Sequence, residues 1–272
     1  VRTIVAFALF ACALLPGGLR AQPYPGLTPV PRTTDPAVQH SLTIEREISE
    51  RIRLGIEAET RRDFGAAVTQ FDRALALTPH EPQASTAFYD RGLAQAGLGD
   101  DPAAADSFRE AVRRDPGFLA ARANLVAVEI VAGDLAGARA AADAFVREAP
   151  ESARALYGRG LVALRSGDTA TARDDFKKLL AADPAYAVAH YDLALVEQRD
   201  GHYDEAEREL RAALGLSSGY VRARLALGAV LLHEGKRMEA RDAFDTVTQA
   251  PGTDPTLRNL AVSLRDAIAV TP

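Results

Sequence analysis

The chain has 272 residues, with 32 Lys and Arg against 37 Asp and Glu, a formal net charge of -5. That balance lacks the basic footprint that displaces counterions from phosphates, which rules against nucleic acid as a partner. One Cys and no Trp exclude a disulfide framework or a cysteine-ligated zinc site within one chain.

Residues 1–21 read as a secretory signal peptide. Arg2 gives a short positive start, and an apolar run follows from Ile4 to Leu15, too short to span a bilayer at about 20 residues per helix. Pro16, Gly17 and Gly18 break the run, and cleavage is predicted after Ala21, which implies a periplasmic or secreted protein. Cleavage there removes Arg2 and Arg20, leaving 30 basic and 37 acidic side chains, a net charge of -7 and no Cys. The alternative uses Leu9-Phe10-Ala11-Cys12 as a lipobox, giving an outer-membrane lipoprotein. Phe10 is bulky for that pattern, and the apolar run continues past Cys12. Membrane attachment would come only through Cys12.

Residues 22–47 form a linker rich in proline, with Pro23, Pro25, Pro29, Pro31 and Pro36. Each proline fixes φ and removes a donor, so an extended tether is predicted. Asp35-Pro36 could open a helical turn or two ahead of Ile48.

From Ile48 onward the sequence repeats every 34 residues. Asp115-Pro116 and Asp183-Pro184 lie 68 apart, with Ala149-Pro150 midway. Gly99-Asp100, Gly133-Asp134 and Gly167-Asp168 recur at the same step, continued by Gly201-His202 and Gly235-Lys236. Six units result, over 48–81, 85–118, 119–152, 153–186, 187–220 and 221–254, with Pro82, Gln83 and Ala84 as extra residues. Each unit reads as two helices. Gly at unit position 15 stops the first, and Pro79, Pro116, Pro150 or Pro184 ends the second.

The pattern resembles the tetratricopeptide repeat (TPR) family. Small residues fall at unit position 8 and Ala at 20, in Gly55 with Ala67, Gly92 with Ala104, Gly160 with Ala172, Ala194 with Ala206, and Gly228 with Ala240. Position 24 is large and 27 small in Phe71/Ala74, Phe108/Ala111 and Leu210/Ala213. Unit three departs: Val126 stands at position 8, and Ala142 with Phe145 reverses the large and small order, a swap that keeps volume. The resemblance implies an all-α, right-handed superhelical solenoid of about six helix-turn-helix units. Residues 255–272 complete it as a capping helix and tail. Asp254-Pro255 starts that helix, and Leu257, Leu260, Leu264 and Ile268 are expected to form its apolar stripe.

The resemblance further implies a groove lined by the first helices, in which unit positions 2, 5, 9, 12 and 13 share a face. The candidate binding residues are Tyr89, Leu93, Arg154, Tyr157, Leu161, Arg165, Tyr191, Leu195 and Arg199. Tyr and Arg anchor protein interfaces, although Tyr at helical spacing equally packs against a neighbouring helix. The Lys and Asn set of the carboxylate-clamp TPR subclass is absent. No cofactor or metal site is read from the five His, since none pairs with another at ligand spacing. His190, at a position usually aromatic, reads as a buried or edge histidine. Gly215-Leu216-Ser217-Ser218-Gly219 matches a nucleophile motif, yet it falls in an inter-repeat turn rather than after a strand. Asp100-Asp101 and Asp174-Asp175 read as solvated.

The resulting expectation is an exported, non-catalytic scaffold that binds a protein or peptide segment, for example in assembly of a cell-envelope complex. In outline it resembles the pilotins of type IV pili, which carry about six such repeats. The alternatives are a self-associating spacer and a regulatory subunit of an envelope enzyme.

Overall fold

The structure is a computed structural model that describes residues 35–77 and 83–270. The signal segment, Cys12 and the prolines before Asp35 lie outside the described residues, as do Pro79, His80 and Pro82. The described residues form thirteen α-helices and no strand. They fall into two compact units divided after Glu148. The first holds α1 (Pro36–Thr60), α2 (Phe64–Ala76), α3 (Gln83–Leu98), α4 (Asp101–Arg114), α5 (Leu119–Ala132) and α6 (Leu135–Glu148). The second holds α7 (Ala153–Ser166), α8 (Thr169–Ala182), α9 (Ala187–Arg199), α10 (Tyr203–Leu216), α11 (Val221–His233), α12 (Arg237–Gln249) and α13 (Pro255–Val270). Within each unit, every helix packs on its neighbours in the chain.

The Gly-Asp pair has a two-part cause. Gly99, Gly133, Gly167, Gly201 and Gly235 all adopt left-handed φ, between 77° and 85°, which reverses the chain at the end of a first helix. The following Asp caps the second helix. Asp100, Asp134 and Asp168 accept from the backbone N–H three residues on, at 3.3, 2.9 and 3.1 Å. In the first repeat Arg62 takes the left-handed place at φ 61°, and Asp63 caps α2 through Ala66 N–H at 3.1 Å. His202 and Lys236, which replace Asp in the last two repeats, make no such side-chain bond.

The close approach at unit position 8 is to position 24. A Cβ added to Gly55, Gly92, Gly160 or Gly228 would lie 2.5–2.7 Å from the ring of Phe71, Phe108, Phe176 or Phe244. The sequence pattern had paired these glycines with Ala at position 20. Those alanines are fully buried as well, but the ring is what fills the space that the glycine leaves. The remaining repeats keep the complementarity, with Ala194 and Leu210, then Val126 and Ala142, all buried. In the third repeat the large ring sits instead at Phe145, three residues beyond Ala142 on the same helix, and is buried as well.

Three local expectations change. Helix α1 starts at Pro36 and runs 25 residues, well beyond a turn or two ahead of Ile48; Asp35 caps it by accepting from Ala37 N–H at 2.9 Å. Gln83 and Ala84 join α3 rather than separating two repeats. On α13, Leu260 is 47% exposed and Ala261 is fully buried. The stripe that meets the last repeat is therefore Leu257, Ala261, Leu264 and Ile268. Both spacings are helical, and the small Ala lets the backbones approach.

Candidate functional site

In the second unit the first helices of successive repeats, α7, α9 and α11, are neighbours. A tyrosine at unit position 5 links one repeat to the next. The Tyr157 hydroxyl on α7 donates to Asp192 Oδ2 on α9 at 2.9 Å. Its ring lies 6.0 Å from Phe176 and 5.5 Å from Tyr186. Tyr191 makes the same ring contact with Tyr220 at 5.2 Å, while the position matching Asp192 one repeat on is Ala226. The first unit repeats the geometry: Asn124 Nδ2 donates to the Tyr89 hydroxyl at 3.2 Å, and Tyr89 packs on Phe108 and Phe118. The bonded partner is 35 residues on in both cases.

Asp192 is only 6% exposed. Burial pushes its pKa up to about 7, against the Tyr157 hydrogen bond and the charges of Arg165 and Arg222. Burial and the nearby Asp192 charge also raise the Tyr191 hydroxyl. Arg165 is exposed, and Arg154 and Arg222 are half-buried. None of the three makes a hydrogen bond or ion pair among the described residues. Arg199 donates to the Leu164 carbonyl at the end of α7 at 3.0 Å, a favourable place for a cation at a helix C-terminus.

Charges toward the second helices are committed to each other. Arg159 grips Asp175 with two bonds of 2.7 Å. Asp175 is fully buried, so it is a paired core carboxylate and not a solvated one. Asp100, from the other acidic run, is a helix cap. Arg173 holds Glu197 at 2.9 and 3.1 Å and also bonds Asp200; Glu197 further meets His202 Nδ1 at 2.9 Å. Burial raises the Glu197 carboxyl, but Arg173 and His202 outweigh it and hold the pKa below the usual value.

Seven of the nine sequence candidates lie on two adjacent helices: Arg154, Tyr157, Leu161 and Arg165 on α7, with Tyr191, Leu195 and Arg199 on α9. Tyr89 and Leu93 lie on α3 of the first unit. Leu161 is buried at 6% exposure, so little of it faces outward, whereas Leu195 is half-buried. Sequence reasoning missed Asp192 and the aromatic at the last unit position. The recurrence of Phe118, Tyr186 and Tyr220 at multiples of 34 residues, interrupted by Ser152, was a readable signal for the latter.

Ser217 follows the last residue of α10 and is exposed in the turn before α11. His190 meets an acceptor at each ring nitrogen, Glu209 Oε2 at 2.6 Å and the Pro184 carbonyl at 3.0 Å. Among the described residues, no three potential metal ligands converge, and no helix is long and apolar enough to cross a membrane.

A tetratricopeptide repeat model matches residues 52–117, 128–187 and 191–255. The chain belongs to the tetratricopeptide repeat family. Solved TPR structures share its fold. A TPR protein from Parabacteroides merdae aligns with a TM-score of 0.58 and 18% identity, covering 81% of this chain and 99% of that one. YrrB, a TPR protein with an unusual peptide-binding site, aligns with a TM-score of 0.56 and 19% identity over 73% of this chain and 97% of its own. MamA from Desulfovibrio magneticus RS-1 gives 0.57 and 21% over 64% and 97%. No curated protein sequence matches the chain. A TPR scaffold points to protein–protein interaction.

Proposed function

We propose that this protein is an exported, non-catalytic TPR scaffold that holds a segment of another protein against its first helices. The six unit boundaries and the signal peptide cleaved after Ala21 are parts of that reading, as is a role in assembling a cell-envelope complex. One observation carries it. The α7–α9–α11 face keeps polar groups that make no hydrogen bond or salt bridge, namely Arg154, Arg165, Arg222 and the Tyr191 hydroxyl, although Arg165, Arg222 and Tyr191 interact electrostatically with the buried Asp192. On the second helix α10, by contrast, arginines are paired, as in Arg208–Glu205 and Arg211–Glu207. Uncommitted Arg and Tyr beside half-buried leucines are the makings of an interface anchor. YrrB offers a relative of the same fold with a peptide-binding site.

The test places a photo-reactive side chain at Leu195 on α9 or at Lys178 on α8, in the full chain and in its native cells. The expected outcome is protein adducts from Leu195 and none from Lys178. Adducts only between copies of this chain would replace the adaptor reading with a self-associating spacer. Adducts from Lys178 alone would overturn both.

A further inference from the structure

We infer that the segment docked on the second unit is acidic, its carboxylates meeting Arg154, Arg165 and Arg222 and its apolar side chains lying along Tyr191 and Leu195. This inference rests on the proposed binding role and adds the chemistry of the partner.

Charge is unevenly placed on the first helices. At unit positions 2, 5, 6, 9, 12 and 13, the three first helices α7, α9 and α11 carry four arginines: Arg154, Arg165, Arg199 and Arg222. They carry one acid, Asp192, which is buried and bonded to Tyr157. A cationic face therefore stands on a chain of net charge -5. The same positions of α1, α3 and α5 hold one arginine, Arg53, already paired to Glu50 and Glu57, and two acids, Glu59 and Asp90. The cationic character is thus local to the second unit.

The chemistry of arginine then selects the ligand. A guanidinium offers a planar fork that matches a carboxylate in two parallel bonds, and it loses less hydration than an ammonium when covered. Three such forks that make no hydrogen bond or salt bridge of their own keep their donors available to a docked carboxylate. Asp192 competes weakly, since it is buried and its Oδ2 already accepts from the Tyr157 hydroxyl. The apolar strip between the arginines sets a second requirement, which a bare anion cannot meet and a mixed acidic and apolar peptide can.

Spacing sets a third. Packed helices lie about 8–10 Å apart, so α7 and α11, two steps apart, are separated by roughly 20 Å. An extended segment advances about 3.3 Å per residue. Carboxylates about six residues apart would reach Arg154 or Arg165 at one end and Arg222 at the other. The carboxylate-clamp set of Lys and Asn has no part in this arrangement.

The test uses the full chain and two fluorescent synthetic peptides, one alternating Glu with Leu and the other with Gln in place of every Glu. We expect the Glu peptide to bind at least about tenfold tighter at low salt and to lose that margin as screening rises. Arg165→Gln with Arg222→Gln should remove the margin, while Arg208→Gln on α10 leaves it intact. Equal affinity for the two peptides, weakened by Leu195→Ser but not by Arg165→Gln with Arg222→Gln, overturns the acidic preference and leaves the binding face standing. Failure of both peptides to bind, or binding indifferent to every first-helix substitution, overturns both. A dimer in sedimentation that Arg165→Gln with Arg222→Gln dissolves, without peptide binding, overturns the inference in favour of a second copy as occupant.

Discussion

Tyr157 reaches from one repeat to the next and donates a 2.9 Å hydrogen bond to the buried carboxylate of Asp192. The bond fixes the register of α7 against α9, and it places a carboxyl among Tyr191, Tyr220, Arg165 and Arg222, whose side chains are electrostatically coupled to it. Tyr157→Phe removes the donor and leaves Asp192 short of a partner in a poorly hydrated place. The expected cost is about 1–3 kcal/mol of stability near neutral pH. Denaturant unfolding of the two proteins checks this, and the loss should be smaller in acid, where the carboxyl is neutral.

Asp192 should leave a mark on stability as a function of pH. Its folded pKa of about 7 lies above the ordinary Asp value near 3.9. Between those values the unfolded chain is ionised while the folded chain keeps its proton. The favourable contribution is complete below the unfolded pKa and is lost as pH rises through the folded one. Asp192→Asn removes this component. The stability difference between wild type and variant should therefore shift against the wild type from mild acid to pH 8, by at most about 1.4 kcal/mol per pH unit. A difference that stays flat with pH would contradict the assignment.

The pairing of unit positions 8 and 24 can be tested by transplanting it. Gly160→Val alone drives a side chain into the Phe176 ring and should cost about 1–3 kcal/mol. Phe176→Ala alone empties the space and should cost about 3–5 kcal/mol. Together they recreate the Val126 and Ala142 arrangement of the third repeat. The double variant should be more stable than the sum of the single losses predicts, by roughly 0.5–3 kcal/mol. Thermal melts of the four proteins form the cycle, and strict additivity would mean that the two positions do not share one space.

Arg159 and Asp175 form a pair in which one partner has no access to solvent. Arg159→Ala strands that charge in the core, with an expected loss of about 3–5 kcal/mol. Breaking the exposed Arg208–Glu205 pair with Arg208→Gln should leave the unfolding midpoint where it was. Equal effects from the two substitutions would contradict the distinction.

The periodic features were legible because each is local. A glycine at a turn, an acid after it and a proline after a helix act within a few residues, so they survive in a linear reading. The contact between Gly160 and Phe176 was half legible: Gly160 stood in the repeat pattern and Phe71 and Phe108 marked position 24 as large, yet which pair shares a space depends on how two helices cross. The Tyr157–Asp192 bond was illegible for a related reason. Its partners lie 35 residues apart, and the recurrence fails in the third repeat, where Ala123 and Gly158 stand, and again at Ala226. Asp175 misled because an acid on a polar helix face reads as solvated until the arginine opposite it is known. Arg154 and Arg165 of the candidate face were found from their spacing. Their lack of partners needed the three-dimensional neighbourhood.

The central claim is that the α7–α9–α11 face is where a partner segment lies, and arginine-selective chemical footprinting measures it most directly. The full chain is labelled with and without a saturating acidic peptide, and each arginine's reactivity is read by mass spectrometry. The account predicts protection of Arg154, Arg165 and Arg222, with Arg208 and Arg241 on the second helices unchanged. Protection of Arg208 and Arg241, with those three still reactive, would contradict it.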